Sequence, residues 1–322
     1  MSLGLSRARW LALALALGLL VLAPLGLKRF GLYMLSLWCV YVIAAHGLNL
    51  TMGYAGQISL GHAAFLGIGA YASALLVRAG LSFWLALPLA AALCVVCGLA
   101  VGFPALRVQH HYLAFATLGF NALVWLIMRN EEWLTGGNFG IRNIRRPSLA
   151  GYSLDGSLAY YYACLAGVAV MSYALAYLLA SPWGRAFAAL RDNPIRAESL
   201  GIDIRAYTLA AFAIGALYAG VAGAFFAPLV GFIDPTPFNV PTSMSFVLAV
   251  IVGGIGRLVG PYLGIAVLIL LPEWLRGLPG EGLAKLAQEW YLVGFGALVM
   301  VMMVWSPGGL LGLAARLRGH RP

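Results

Sequence analysis

The residues of this chain with types and spacing suited to chemistry are mostly uncharged and cluster in one place. The stretch from Gly47 to His62 reads GLNLTMGYAGQISLGH, and in it Asn49, Gln57, Ser59 and His62 interrupt apolar sequence while Gly61 precedes the imidazole. Amide, hydroxyl and imidazole groups in apolar surroundings can exchange hydrogen bonds with the charged ends of a zwitterionic solute. The glycines let the backbone break there, which frees N–H and C=O groups for the same purpose. Equally, these groups can hydrogen-bond between helices while the glycines permit close packing. Both readings stay open at this point.

Bond-making chemistry has no support. The densest glycine run, Gly253-Gly254-Ile255-Gly256-Arg257-Leu258-Val259-Gly260-Pro261, lacks the lysine and following hydroxyl of a phosphate-cradling loop, so Gly253, Gly254, Gly256 and Gly260 are read as structural. No Gly-x-Ser-x-Gly elbow, His-Glu-x-x-His pair or close carboxylate dyad is present. Cys39, Cys94, Cys97 and Cys164 lie in apolar runs, and Cys94-Val-Val-Cys97 has no second pair to complete a zinc site. Neither a catalytic centre, a metal site nor a bound cofactor is expected.

A second constellation occupies residues 181–206. Pro182 ends an apolar run, and the alanine-rich sequence through Arg191 favours a helix. Asn193 then suits an N-cap, Pro194 the first helical position and Gly201 a C-terminal cap. Two short helices carrying Gly184, Arg185, Arg191, Asp192 and Glu198 follow. A compact charged element of this kind gives an energising partner something to push on.

The elements that must position these residues are membrane helices. Of the 322 residues, 62% are hydrophobic and 9% charged, against the roughly 25% charged residues usual in soluble domains. Forty glycines suit close helix approach in lipid. Runs of about 20 apolar residues recur at Trp10–Leu27, Leu32–Leu50, Ile58–Val77, Phe83–Phe103, Tyr112–Met128, Ser157–Ala180 and Tyr207–Val230. Ser243–Ile255, Pro261–Leu275 and Trp290–Trp305 complete the set. The expectation is an all-α, polytopic transmembrane bundle in one domain, residues 1–322, with about ten spans. The short eighth is a candidate for a broken or re-entrant segment enclosed by protein. The first run is too long for a secretory h-region and is followed at once by another span, so it reads as a retained anchor.

Positively charged short loops stay in the cytoplasm. Arg185, Arg191, Arg196 and Arg205 therefore place residues 181–206 inside, and counting spans puts both termini, with Arg7, Arg9, Arg316, Arg318 and Arg321, inside as well. The loop 129–156 falls outside despite Arg129, Arg142, Arg145 and Arg146. The net charge of +10 is thus accounted for by topology, and nucleic acid is not an expected partner.

Four segments together resemble the branched-chain amino-acid permeases of bacterial ABC importers, LivM type. They are Asn49–Ala72 (NLTMGYAGQISLGHAAFLGIGAYA), Leu134–Ile141 (LTGGNFGI), Gly184–Gly201, and Gly253–Gly256 with Gly260-Pro261. Glu198-Ser199-Leu200-Gly201 departs mildly from the Glu-Ala-Leu-Gly common in that family. The resemblance implies a multi-pass protein of the bacterial inner membrane that moves leucine, isoleucine and valine inward. It implies a second, LivH-like permease subunit, a periplasmic solute-binding protein and two cytoplasmic ATPase subunits, which hydrolyse the ATP. On it, residues 184–201 dock the ATPase; separately, the placement of Arg142, Arg145 and Arg146 in an outside loop leads to the expectation that they attract an acidic face of the binding protein. The family also includes carriers of urea and short-chain amides. An ion-coupled secondary transporter would instead need intramembrane carboxylates, and apart from the loop-end Asp234 and Glu273 the spans have none. A membrane enzyme or scaffold lacks any supporting residue.

Overall fold

The computed structural model describes residues 18, 20–105, 110–149 and 152–276, and parts of 293–317. Helices α1 (Arg29–Leu48), α2 (His62–Arg78), α3 (Phe83–Ala105), α4 (His110–Asn130) and α5 (Ser157–Ala180) lead to the short pair α6 (Pro182–Asp192) and α7 (Pro194–Ser199). Helices α8 (Ile204–Val230), α9 (Val240–Gly253), α10 (Gly260–Arg276) and α11 (Gly309–Leu317) follow. The strands among the described residues are one two-residue antiparallel pair, Ser148–Leu149 with Tyr152–Ser153. The protein is a helical membrane bundle.

Five of the described segments are long and apolar enough to cross a membrane: Arg29–Tyr54, Phe83–Phe103, Tyr112–Asn130, Ser157–Ala180 and Ile204–Val230. Three shorter apolar helices, α2, α9 and most of α10, accompany them. Against an expectation of about ten spans with a broken or re-entrant segment, the described residues thus hold five segments of spanning length and three shorter ones. Half of the first expected span, Trp10–Leu27, and much of the last, Trp290–Trp305, lie outside the described residues. One other is shorter than its hydropathy suggests, because the backbone is not helical through the glycine-containing segment before it. The third starts at His62 rather than Ile58, and α9 has 14 residues. Asn239 caps α9, accepting from the Thr242 N–H at 3.0 Å.

Helix α8 is the central pillar. Of its most apolar window 72% is buried, against 17% for α5, so α5 lies at the periphery of the bundle. Small residues explain the difference, since without a hydrophobic drive between helices, association depends on close backbone approach. A Cβ added at Gly223 would strike the Leu66 carbonyl of α2, and one at Gly47 of α1 would strike Gly215 and Tyr218 at 2.6 Å. On a third side Gly220 sits against Cys94 of α3, which accounts for that buried thiol as packing.

Helix α1 does not stop at Leu48. It widens into a π-helix over Asn49–Tyr54, where the Thr51 hydroxyl donates back to the Gly47 and Leu48 carbonyls at 3.2 and 3.0 Å. Residues 55–61 are then non-helical before α2 begins. At the far end of the bundle, the loop 131–156 folds over the C-terminus of α8. Ile141 and Ile233 exchange both backbone hydrogen bonds at 2.9 and 3.0 Å, and the Ile144 N–H reaches the Gly231 carbonyl.

Candidate functional site

The polar stretch, the short-helix pair and the glycine run meet at one end of the bundle. Asn49 is fully buried; its amide nitrogen donates to the Arg257 carbonyl at 3.0 Å and its oxygen accepts from the Gly256 N–H at 2.9 Å. This clamps the turn between α9 and α10, in which Gly254 (φ 121°) and Gly256 (φ 69°) hold backbone angles that side chains rarely adopt. The Arg191 guanidinium, at the end of α6, donates to the Gly53 carbonyl at 3.0 Å and pairs with Asp192 at 3.0 Å. One hydrogen-bonded joint therefore ties α6 to the π-helix of α1 and, through Asn49, to the α9–α10 turn.

The remaining residues of the stretch line a different surface. Gln57 and Ser59 are buried, and the Gln57 amide donates to the Ala55 carbonyl at 3.3 Å. The Leu60 N–H donates to Thr117 Oγ1 of α4 at 2.9 Å, and Gly61 packs on the Thr117 carbonyl. His62 Nε2 lies 2.6 Å from the Ala44 carbonyl, so it acts as the donor, and the next N–H, Ala63, donates to Ser243 Oγ of α9. The stretch thus joins α1, α4 and α9 as well as turning the chain. No group of three potential metal ligands occurs among the described residues.

Residues 181–206 fold as the sequence suggests. Ser181 accepts from the Trp183 N–H, and Asn193 accepts from the Arg196 N–H at 3.0 Å with Pro194 in the first turn. Gly201 has φ 83°, the left-handed geometry of a helix terminus. Gly184, Ala186, Phe187 and Leu190 form the buried face of α6, with Phe187 and Trp183 against Tyr207. Arg185, Asp192 and Glu198 point outward.

With that geometry in place, comparison with known proteins gives a consistent answer. The family model described as branched-chain amino acid transport system, permease component, matches residues 31–304. This chain belongs to that permease family. The high-affinity branched-chain amino acid transport system permease protein LivM of Escherichia coli (strain K12) is 35% identical over 91% of this chain and 73% of its own length. LivM of Salmonella typhimurium is 34% identical over 92% and 74%. The autoinducer 2 import system permease protein LsrC of Escherichia coli is 28% identical over 81% and 80%. No solved structure matches the chain.

The permease holds its other predicted groups apart from the joint. Arg142, Arg145 and Arg146 lie at the opposite end, in the loop over α8. Arg146 is held there, donating to the Asp155 carbonyl at 2.6 Å and lying over the Tyr160 ring, while Arg142 and Arg145 are exposed. Gly253 and Gly260 touch backbone to backbone, which closes the α9–α10 hairpin.

Two features escaped the residue-by-residue reading of this permease. Asn121 of α4 is fully buried and neither atom of its amide has a hydrogen-bond partner; it lies one turn from Thr117 on the same face. Its i, i+4 spacing from Thr117 in an apolar run was the available signal. Ile195 and Leu200 are 80% and 79% exposed beside Glu198, an apolar pair on the outward side of α7. Nothing in their local sequence distinguishes them from core residues.

Proposed function

We propose that the protein is the membrane-spanning permease subunit of a bacterial ABC importer that carries branched-chain amino acids into the cytoplasm. The observation that carries this reading is the joint at Asn49, Gly53, Arg191 and Gly256, which gives a short-helix pair at the membrane surface a direct mechanical connection to the polar stretch. Separate ATPase subunits bind and hydrolyse the ATP and dock on α6 and α7, with Ile195 and Leu200 as apolar contacts between the charges of Arg185, Asp192 and Glu198. Movement of α6 then shifts Gly53 and the α9–α10 turn together. A passive channel has no need of such a joint.

The path runs beside Gln57, Ser59, Gly61 and Thr117, with Asn121 as a further polar station. An unpartnered amide in a low-dielectric interior costs about 1–3 kcal/mol, and a passing ammonium or carboxylate would satisfy it. Among the described residues no Asp, Glu, Lys or Arg is buried, which speaks against coupling to a proton or sodium gradient. In this reading the chain crosses the inner membrane about ten times with both termini inside. The loop 131–156 faces a periplasmic binding protein through Arg142, Arg145 and Arg146, and a second permease subunit completes the pore.

The test is uptake by the reconstituted importer, with its matching binding protein, of leucine, urea and a short amide. ATP-dependent uptake of leucine alone is expected. Uptake of urea but not leucine overturns the solute assignment.

A further inference from the structure

At the end of the bundle opposite the joint, a cavity of about 660 Å³ opens beneath the loop 131–156. Its volume falls within the roughly 300–1,000 Å³ usual for small-molecule sites. One wall is the last turn of α2, with Ala74, Val77 and Arg78; the other is the segment from Phe139 to Arg145. Arg78, Arg142 and Arg145 all border it, and no ion pair to any of the three is found among the described residues. Arg142 is occupied in part by the Phe232 ring, 5.7 Å away. The rest of the lining is largely apolar, including Val77, Ile141 and Ile144.

An arginine in the last turn of a helix ordinarily offsets the negative end of its dipole. That role accounts for Arg78 alone. It does not account for two further guanidinium groups brought to the same hollow by a loop pinned through Ile141 and Ile144 to Ile233 and Gly231. Guanidinium is the side chain best suited to bind carboxylate with paired hydrogen bonds. A second observation marks the same face of α2. Tyr71, one turn below Ala74, is 4% exposed and its hydroxyl has no hydrogen-bond partner, so polarity continues from the cavity toward the bundle interior.

We propose that this cavity is an entry vestibule that receives the α-carboxylate of the solute as the binding protein releases it, with Arg78 as its fixed anchor. Arg145 and, in part, Arg142 supply the remaining charge, and the apolar wall takes the aliphatic side chain. The site holds a carboxylate next to branched hydrocarbon, the two features that leucine, isoleucine and valine share. The proposal rests on the importer reading and names the first contact of its solute with the permease.

The test uses the complete importer in proteoliposomes: permease pair, ATPases and binding protein. Wild-type leucine uptake is measured first, and its absence would count against the importer reading rather than the vestibule. Arg78→Gln is then compared with Arg78→Lys for uptake and for ATPase stimulation by leucine-loaded binding protein, and Arg145→Gln, whose side chain also faces the binding protein, is measured for uptake alone. Arg78→Gln is expected to lower uptake about tenfold, the scale of one lost charge-assisted hydrogen bond, while ATPase stimulation stays within about twofold and Arg78→Lys recovers part of the loss. Equal loss of uptake and stimulation would make Arg78 a contact for a carboxylate of the binding protein instead and overturn the vestibule, leaving the importer reading in place. Uptake unchanged in both glutamine variants, with normal amounts of assembled complex, would overturn the vestibule itself.

Discussion

Replacing Asn49 with alanine tests the joint most directly, because both atoms of its amide are engaged and the residue is fully buried. The substitution leaves the Gly256 N–H and the Arg257 carbonyl short of a partner. Each such loss costs about 1–3 kcal/mol when the group stays away from water, so a destabilisation of about 2–6 kcal/mol is expected. Aspartate is the informative comparison. It keeps an acceptor for the Gly256 N–H but turns an oxygen toward the Arg257 carbonyl and adds a buried charge, so it should be no better than alanine. The assay is the unfolding midpoint of the purified complex, read with the number of leucine molecules moved per ATP. A cycle with Arg191→Ala should show a coupling above about 0.5 kcal/mol, since the two residues meet through Gly53 and Gly256. An alanine variant within about 0.5 kcal/mol of wild type, or an aspartate variant milder than alanine, would refute the reasoning.

Four further outcomes are expected. Gly223→Ala should cost about 1–3 kcal/mol by driving α8 off the Leu66 carbonyl, whereas Gly119→Ala, with open space around it, should be neutral in the same melt; equal effects would count against the packing account. Combining Arg191→Glu with Glu198→Arg should leave the protein inserted but lower transport per ATP, and wild-type coupling in that variant would remove the docking assignment. A cysteine at the exposed Asn143 should react with an impermeant reagent added from the periplasmic side, and reaction only from the cytoplasmic side would invert the topology. Ser59→Phe should stop leucine uptake while the ATPases still assemble; normal uptake would take the path away from α4.

Local features were legible in the sequence because they depend on near neighbours. The apolar runs announce the bundle through length and composition alone. Pro182, Asn193 and Gly201 mark the boundaries of α6 and α7 because proline and capping residues act on neighbours within three or four positions. The glycines and polar groups between Gly47 and His62 announce a broken helix, and the chain does leave α-helical geometry from Asn49 to Gly61. The family resemblance rested on those same segments.

What each side chain faces was decided only by tertiary structure. In a soluble helix, polar residues mark the outer face, but a membrane helix is apolar toward lipid and toward its neighbours alike, so its sequence carries little record of which side is buried. Helices α3, α5 and α8 are of this kind, and only packing makes α8 central and α5 peripheral. The amide of Asn49 meets Arg257 across 208 positions of chain, and Arg191 meets Gly53 across 138. Arg78 of α2 borders the same cavity as Arg142 and Arg145 because the loop over α8 is pinned to Gly231 and Ile233. Periodicity and capping act over a few residues, whereas these meetings depend on how whole helices cross, which the small residues of α8 permit and the fold completes.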